Sequence, residues 1–324
     1  VNIKNKKNFF IFFYLFLFLQ HINYQYFIFK LCKFLLQING FKLQNSFFLR
    51  LVENNLELID VYTMNLKPIY YMKFYTFLDI VNIPANDPVT FTFFVGYMAM
   101  LAAAVFFFFE RGQVDGKWKL SLLVSGLITG IAAVHYYYMR DYYAATGETP
   151  VALRYIDWTL TVPLMCLEFY LLLRPAGAKI AFMWKLILAS VVMLVAGYIG
   201  EAFVPLNADG SAAAGATSHS VIWGVISTLG YVYILHSAWF GEAAKLAQAS
   251  DNAAVKKGIR ALAWFVLVGW AIYPIGYMAM PGGWLSGVFE PTDMNLFYNL
   301  ADAINKIGFG LVVYQIAVTE SAKK

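Results

Sequence analysis

Charge is scarce in this 324-residue chain: only 13% of its residues are Asp, Glu, Lys or Arg, against 60% hydrophobic. A water-soluble globule carries about 25% charged residues, so that class is excluded and an integral membrane protein is expected. The mean hydropathy of +0.61 agrees. Cysteine is nearly absent: Cys32 and Cys166 offer no disulfide framework, and Cys166 falls inside an apolar run. No metal-ligand cluster is read from the sequence. The net charge of +5 comes entirely from residues 1–71, since the remainder is balanced, so no nucleic-acid partner is expected.

Small residues are also missing at one end. No alanine precedes Ala85, and Gly40 is the only glycine before it, whereas both are frequent afterwards. The early stretch, as in "NFFIFFYLFLFLQ", has a basic beginning (Lys4, Lys6, Lys7) and an apolar run, the pattern of a signal peptide or anchor, but no small-residue cleavage site follows. The alternative is an upstream stretch translated by mistake, with the true start at Met64 or Met72. The break in composition favours that alternative, so residues 1–71 are expected to be a dispensable extension and 72–324 the functional domain.

From Pro88 onward, apolar runs of about 20 residues recur, the length needed to cross a bilayer as a helix. Seven spans are expected near 88–109, 119–140, 152–173, 180–202, 218–240, 258–280 and 294–318, giving an all-α membrane bundle. Arg111, Lys117, Arg174, Lys179, Lys245, Lys256, Lys257 and Lys323 fall in alternate links and at the C-terminus, while Asp87, Asp141, Glu148, Asp209 and Asp293 occupy the opposite set. The positive-inside rule then starts the first span outside and leaves the C-terminus cytoplasmic.

Against this background a few charges stand within the spans. The third, "RYIDWTLTVPLMCLEFYLLL", carries Arg154, Asp157 and Glu168. Each costs roughly 2.5–3.5 kcal/mol at the centre of an inserting helix. Eleven residues separate Asp157 from Glu168, which puts both on one helical face about 16 Å apart, with Thr161 on the same face. The seventh span, "NLFYNLADAINKIGFGLVVYQIAV", has Lys306 near its midpoint and Asp302 one turn before it. A desolvated lysine suits imine formation with an aldehyde, and the resulting buried cation needs carboxylate partners, for which Asp157 and Asp302 are candidates. Structural ion pairs would account for one such pair; a mid-span lysine with acids on two spans points instead to chemistry. In the sixth span Trp270, Tyr273 and Pro274 are read either as ordinary packing or as a kinked slot for a flat conjugated ligand. His135 in the second span is read either as a hydrogen-bonded core residue or as a modulator of a nearby carboxylate.

The motifs "HYYYMR", "RYIDWTLTVPLMCLEFYL", "GYIGEA", "GWAIYPIGY" and "YNLADAINKIGFGL" together resemble a microbial (type 1) rhodopsin of the proteorhodopsin kind over about residues 88–319. The resemblance implies a seven-helix bundle around all-trans retinal, held as a protonated Schiff base on Lys306, and a light-driven outward proton pump rather than an enzyme. It implies Asp157 as counterion and proton acceptor, Asp302 as second counterion and Glu168 as cytoplasmic donor. Arg154 would order the outward water network, and His135 would pair with Asp157. Trp158, Trp270, Tyr273 and Pro274 match pocket positions, and Met165 the position that tunes colour. A homo-oligomer, pentamer or hexamer, in membrane lipid is implied as well. Phe94 stands where related pumps often have a tryptophan that reaches a neighbouring protomer. Gly224 suggests a gap beside the ring end of retinal, where some relatives admit a carotenoid antenna, though glycine also serves plain helix packing. A sensory photoreceptor is the alternative function; it has no need of a donor such as Glu168, and no transducer is recognised in this chain. Chloride and sodium pumps replace Asp157, so the Asp–Thr–Glu set points to protons.

Overall fold

Asp87 caps the first described helix by accepting hydrogen bonds from the Val89 and Thr90 amides at 3.0 and 3.3 Å, with Pro88 in the first helical turn where its missing N–H costs nothing. The computed structural model describes residues 87–289 and 291–323, apart from the side chains of 291 and 292. They lie within one unit, Ile80–Lys324. The expectation for residues 1–71 falls outside the described residues.

Among the described residues the long elements are all helices: α1 Pro88–Glu110, α2 Lys119–Thr146, α3 Val151–Leu173, α4 Ile180–Ala202 and α5 Ala216–Trp239. A short α6, Glu242–Ala249, follows; then come α7 Ala253–Trp264, a π-helical segment Phe265–Gly269, α8 Ile272–Ala279 and α9 Pro291–Ser321. Seven stretches are long and apolar enough to cross a membrane, matching the expected seven: α1 to α5 are the first five, α7 to α8 the sixth and α9 the seventh. Consecutive spans pack on one another, and α9 closes the bundle against α1 and α2.

Besides the sixth span's earlier start at Ala253, two departures from the hydropathy reading have local reasons. α2 runs on through "DYYAAT" to Thr146 and stops at Gly147, whose φ of 71° and N–H bonded to the Tyr143 carbonyl at 2.7 Å make a left-handed cap. The fifth link contains α6, "EAAKLAQA", an alanine-rich helix of about two turns that buries Ala243, Ala244 and Ala247.

Because lipid is as apolar as leucine, close packing rather than water exclusion holds such helices together. A Cβ at Gly230 of α5 would stand 2.5 Å from the Ala189 carbonyl oxygen of α4, so only glycine permits that approach. Phe107, Phe169 and Phe309 fill the interior, while Trp184, Leu188, Leu229, Val268 and Ile304 are exposed, the apolar exterior expected of a lipid-facing wall.

The sixth span departs from α geometry before Pro274. In the π segment the Trp270 amide bonds the Phe265 carbonyl five residues back at 3.0 Å, and Trp270 and Ala271 then form a turn before α8 resumes. The sequence reading attributed the irregularity to Pro274 alone; the structure starts it at Phe265.

Candidate functional site: a buried lysine between two carboxylates

α3 and α9 face each other, and their charged side chains meet. Lys306, 3% exposed, places its amine 2.5 Å from Asp157 Oδ2 and 3.0 Å from Asp302 Oδ2, and neither aspartate has more than 1% exposure. The helical spacing makes this possible: Asp302 is one turn before Lys306 on α9, and Asp157 reaches across from α3.

The two carboxylates differ sharply in their surroundings. Asp302 also accepts from the Tyr273 hydroxyl (2.5 Å), the Tyr136 hydroxyl (2.8 Å) and the Trp158 indole N–H (3.1 Å). Asp157 has the lysine on one oxygen, while Oδ1 has no hydrogen-bond partner. His135 approaches that oxygen only to 3.8 Å, because its Nδ1 is engaged by the Ile131 carbonyl of its own helix at 2.9 Å. Thr161 is fully buried on the same face but donates to the Asp157 backbone carbonyl at 2.9 Å.

Arg154, one turn before Asp157, is 1% exposed and donates to the side-chain oxygens of Asn295 and Asn299 at 2.9 and 3.0 Å. Its Nε and Nη1 have no protein partner, and the guanidinium lies 5.1 Å from the Tyr298 ring centre and 5.3 Å from that of Phe93. Glu168, at the other end of the α3 face, is fully buried and takes one hydrogen bond, from the Ser125 hydroxyl at 2.9 Å, leaving Oε2 unpartnered. Its neighbours along α3, Cys166, Phe169 and Leu172, are all shielded from solvent.

A cavity of about 840 Å³, counting the space at its mouth, ends on Lys306 and Asp302. Trp158, Met165, Trp270, Tyr273 and Pro274 all line it, so every pocket residue expected from sequence is brought to one place. Gly224 lines it too, yet Tyr277 covers that glycine: a Cβ there would meet the Tyr277 ring at 2.8 Å. The gap expected beside Gly224 is therefore filled by an aromatic ring.

Several participants went unassigned in the sequence. Asn295 and Asn299 share a face with Asp302 and Lys306, at steps of four, three and four along α9, a spacing that marks them in hindsight. Tyr136 was visible only as one of three consecutive tyrosines, and nothing in that run distinguishes the one that turns inward. Glu201 of the "GYIGEA" motif is buried and accepts from the Tyr155 hydroxyl at 2.8 Å.

Comparisons with known proteins agree with this architecture. The family model described as Bacteriorhodopsin-like protein matches residues 87–320. The chain is 45% identical over 244 residues to a blue-light absorbing proteorhodopsin of Gamma-proteobacterium Hot 75m4, covering 74% of this chain and 90% of that protein. It is 43% identical over 245 residues to a green-light absorbing proteorhodopsin of Gamma-proteobacterium EBAC31A08, covering 74% and 91%. Among solved structures, blue light-absorbing proteorhodopsin from Med12 aligns with a TM-score of 0.59 at 40% identity, over 72% of this chain and all of that one. Xanthorhodopsin, described as a light-driven ion pump with dual chromophore, aligns with a TM-score of 0.61 at 27% identity, over 72% and 94%. With seven membrane-spanning helices around a buried lysine and its two carboxylates, the chain belongs to the bacteriorhodopsin-like family of microbial rhodopsins.

Proposed function

We propose that this protein is a light-driven outward proton pump in which all-trans retinal is bound to Lys306. Family membership implies retinal, and the residues present suit it. The cavity offers a buried amine at its closed end, two carboxylates to balance a cation there, and flat aromatic walls from Trp158, Trp270 and Tyr273. When bound, retinal supplies absorption of visible light and a shape change that alters the direction and acidity of the Lys306 nitrogen.

The reading rests chiefly on one observation, the inequality of the two carboxylates. Asp302, held by three neutral donors besides the lysine, is best suited to remain an anion. Asp157, with an oxygen free of donors, is suited to take a proton from the Lys306 nitrogen 2.5 Å away. Glu168, with the Ser125 hydroxyl on one oxygen and no donor on the other, is suited to hold a proton and return it to that nitrogen. Asp157 touches the lysine, whereas Glu168 stands eleven residues further along α3 toward the other membrane face, a separation suited to directional transfer. With the lysine- and arginine-rich links in the cytoplasm, Glu168 faces inward and Arg154 outward. Arg154, with two N–H groups lacking protein partners, is suited to order water on the outward side.

His135 modulates Asp157 in this reading, Thr161 fixes the α3 turn that carries it, and Met165 tunes colour from the cavity wall. The same reading places the protein in the cell membrane with its C-terminus in the cytoplasm, as a homo-oligomer among lipids. The curated relatives named as proteorhodopsins support retinal chemistry. Tyr277 covers Gly224, where an antenna would sit, while a solved neighbour is described as a pump with dual chromophore. A sensory role would leave the buried Glu168 without a task.

The test is illumination of cells expressing the chain with added all-trans retinal. External acidification abolished by a protonophore is expected. A coloured protein that moves no protons in the light would overturn the pump.

A further inference from the structure

The π segment Phe265–Gly269 raises a question that proton transfer does not answer. A π turn holds one residue more than an α turn, which rotates everything after it by about 100° about the helix axis. It also leaves backbone carbonyls short of their usual partners. In this chain those carbonyls are met by side chains from the two flanking spans. The Tyr231 hydroxyl of α5 donates to the Val266 carbonyl at 2.9 Å and to that of Leu267 at 3.2 Å. The Asn305 carboxamide of α9 donates to the Gly269 carbonyl at 2.8 Å. Both side chains also line the cavity that ends on Lys306.

The segment's register has a visible consequence. Trp270, Tyr273 and Tyr277 all line that cavity. Without the extra residue, the wall would pass to Gly269, Ile272 and Gly276 and lose its aromatic character. Asn305 is tied to the charge cluster as well, because its Nδ2 lies 3.4 Å from the Tyr273 hydroxyl, which in turn donates to Asp302. Gly269 is small for the same reason: a Cβ there would collide with the Asn305 side chain.

We infer that Asn305 and Tyr231 are positioning residues that clamp the π segment of the sixth span and thereby hold Trp270 and Tyr273 in register with Lys306. The clamp joins three spans at the level of the lysine. A change of shape in the cavity therefore reaches the sixth span through these two hydrogen-bonding side chains as well as through its own lining residues. The inference deepens the pump reading and rests on it for the chromophore, but the clamp itself belongs to the protein without retinal.

Three variants test it in the full-length chain: Tyr231→Phe, which removes one hydroxyl; Asn305→Leu, which keeps the bulk and removes the donor; and Gly269→Ala, which pushes the carboxamide aside. Hydrogen–deuterium exchange is followed in detergent before retinal is added. Amides of residues 265–273 are expected to exchange about tenfold faster in each variant, with α2 and α3 unchanged. After all-trans retinal is added, the visible band is expected to move in Asn305→Leu and Gly269→Ala, because Tyr273 and through it Asp302 lose their setting. A general loss of packing would instead speed exchange throughout the bundle, and would count against the clamp. Unchanged exchange at 265–273 in both Tyr231→Phe and Asn305→Leu would overturn it. Wild type that takes up no retinal, yet shows the exchange effect in its variants, would sink the chromophore reading and leave the clamp standing.

Discussion

Asp157 meets Lys306 through one carboxylate oxygen, at 2.5 Å, and keeps the other free of hydrogen-bond donors. Asp302, on the same amine, has no such freedom. This inequality yields a prediction that separates two residues of identical type. Acidification should protonate Asp157 and shift the visible band to the red, since less negative charge then balances the cation. In Asp157→Asn the band should start red-shifted and lose its acid transition, while Asp302→Asn should retain one. Titration of the visible spectrum checks this, and an unaltered transition in Asp157→Asn would assign the counterion elsewhere.

The second prediction concerns colour itself. Among the described residues, Lys306 is the only lysine that lines the cavity. Lys306→Ala should insert into membranes and remain colourless with added retinal. A visible band of normal strength in that variant would end the assignment.

Glu168 provides the third. Glu168→Gln keeps the shape of the side chain and removes its exchangeable acid proton, so the pigment should form with nearly unchanged colour. Recovery of the visible band after a flash should slow at least tenfold, about 1.4 kcal/mol on the barrier. Azide, a small diffusible proton carrier, should restore the rate. Ser125→Ala removes the one hydroxyl bonded to Glu168 and should alter the recovery more mildly. Flash photolysis at neutral pH decides, and unchanged recovery in Glu168→Gln would favour the photosensor.

A fourth prediction addresses the first 71 residues. A chain beginning at Met72 retains all seven spans and should bind retinal and pump like the full-length protein. Failure of the shortened chain to insert would make the extension a targeting segment.

The bundle was legible because a bilayer imposes one length scale, and hydropathy reports it directly. The charged pairs were legible because ions inside a span are costly and stand out. Where no such cost marks a residue, the sequence was silent. α6 hides in a link because its alanines score as neither apolar span nor loop. The π segment "FVLVG" reads as ordinary helix, since its register depends on Tyr231 and Asn305, 35 and 36 residues away along the chain from the carbonyls they cap. The support of Asp302 by Tyr136 and Trp158 spans 166 and 144 residues, and no local pattern encodes it.

The unequal burial of the spans divides labour across the bundle. The apolar stretches of the second and third spans are 56% buried, that of the fifth only 22%. The buried Arg154, Asp157 and Glu168 are thus carried on a shielded helix, while Ser227 and Thr228 of the fifth span and Met193 of the fourth line the cavity from helices with largely exposed surfaces. Bilayer thickness and lateral pressure therefore act first on the cavity wall made by the fourth and fifth spans. A change of host membrane should reshape that wall before it disturbs the lysine–aspartate cluster.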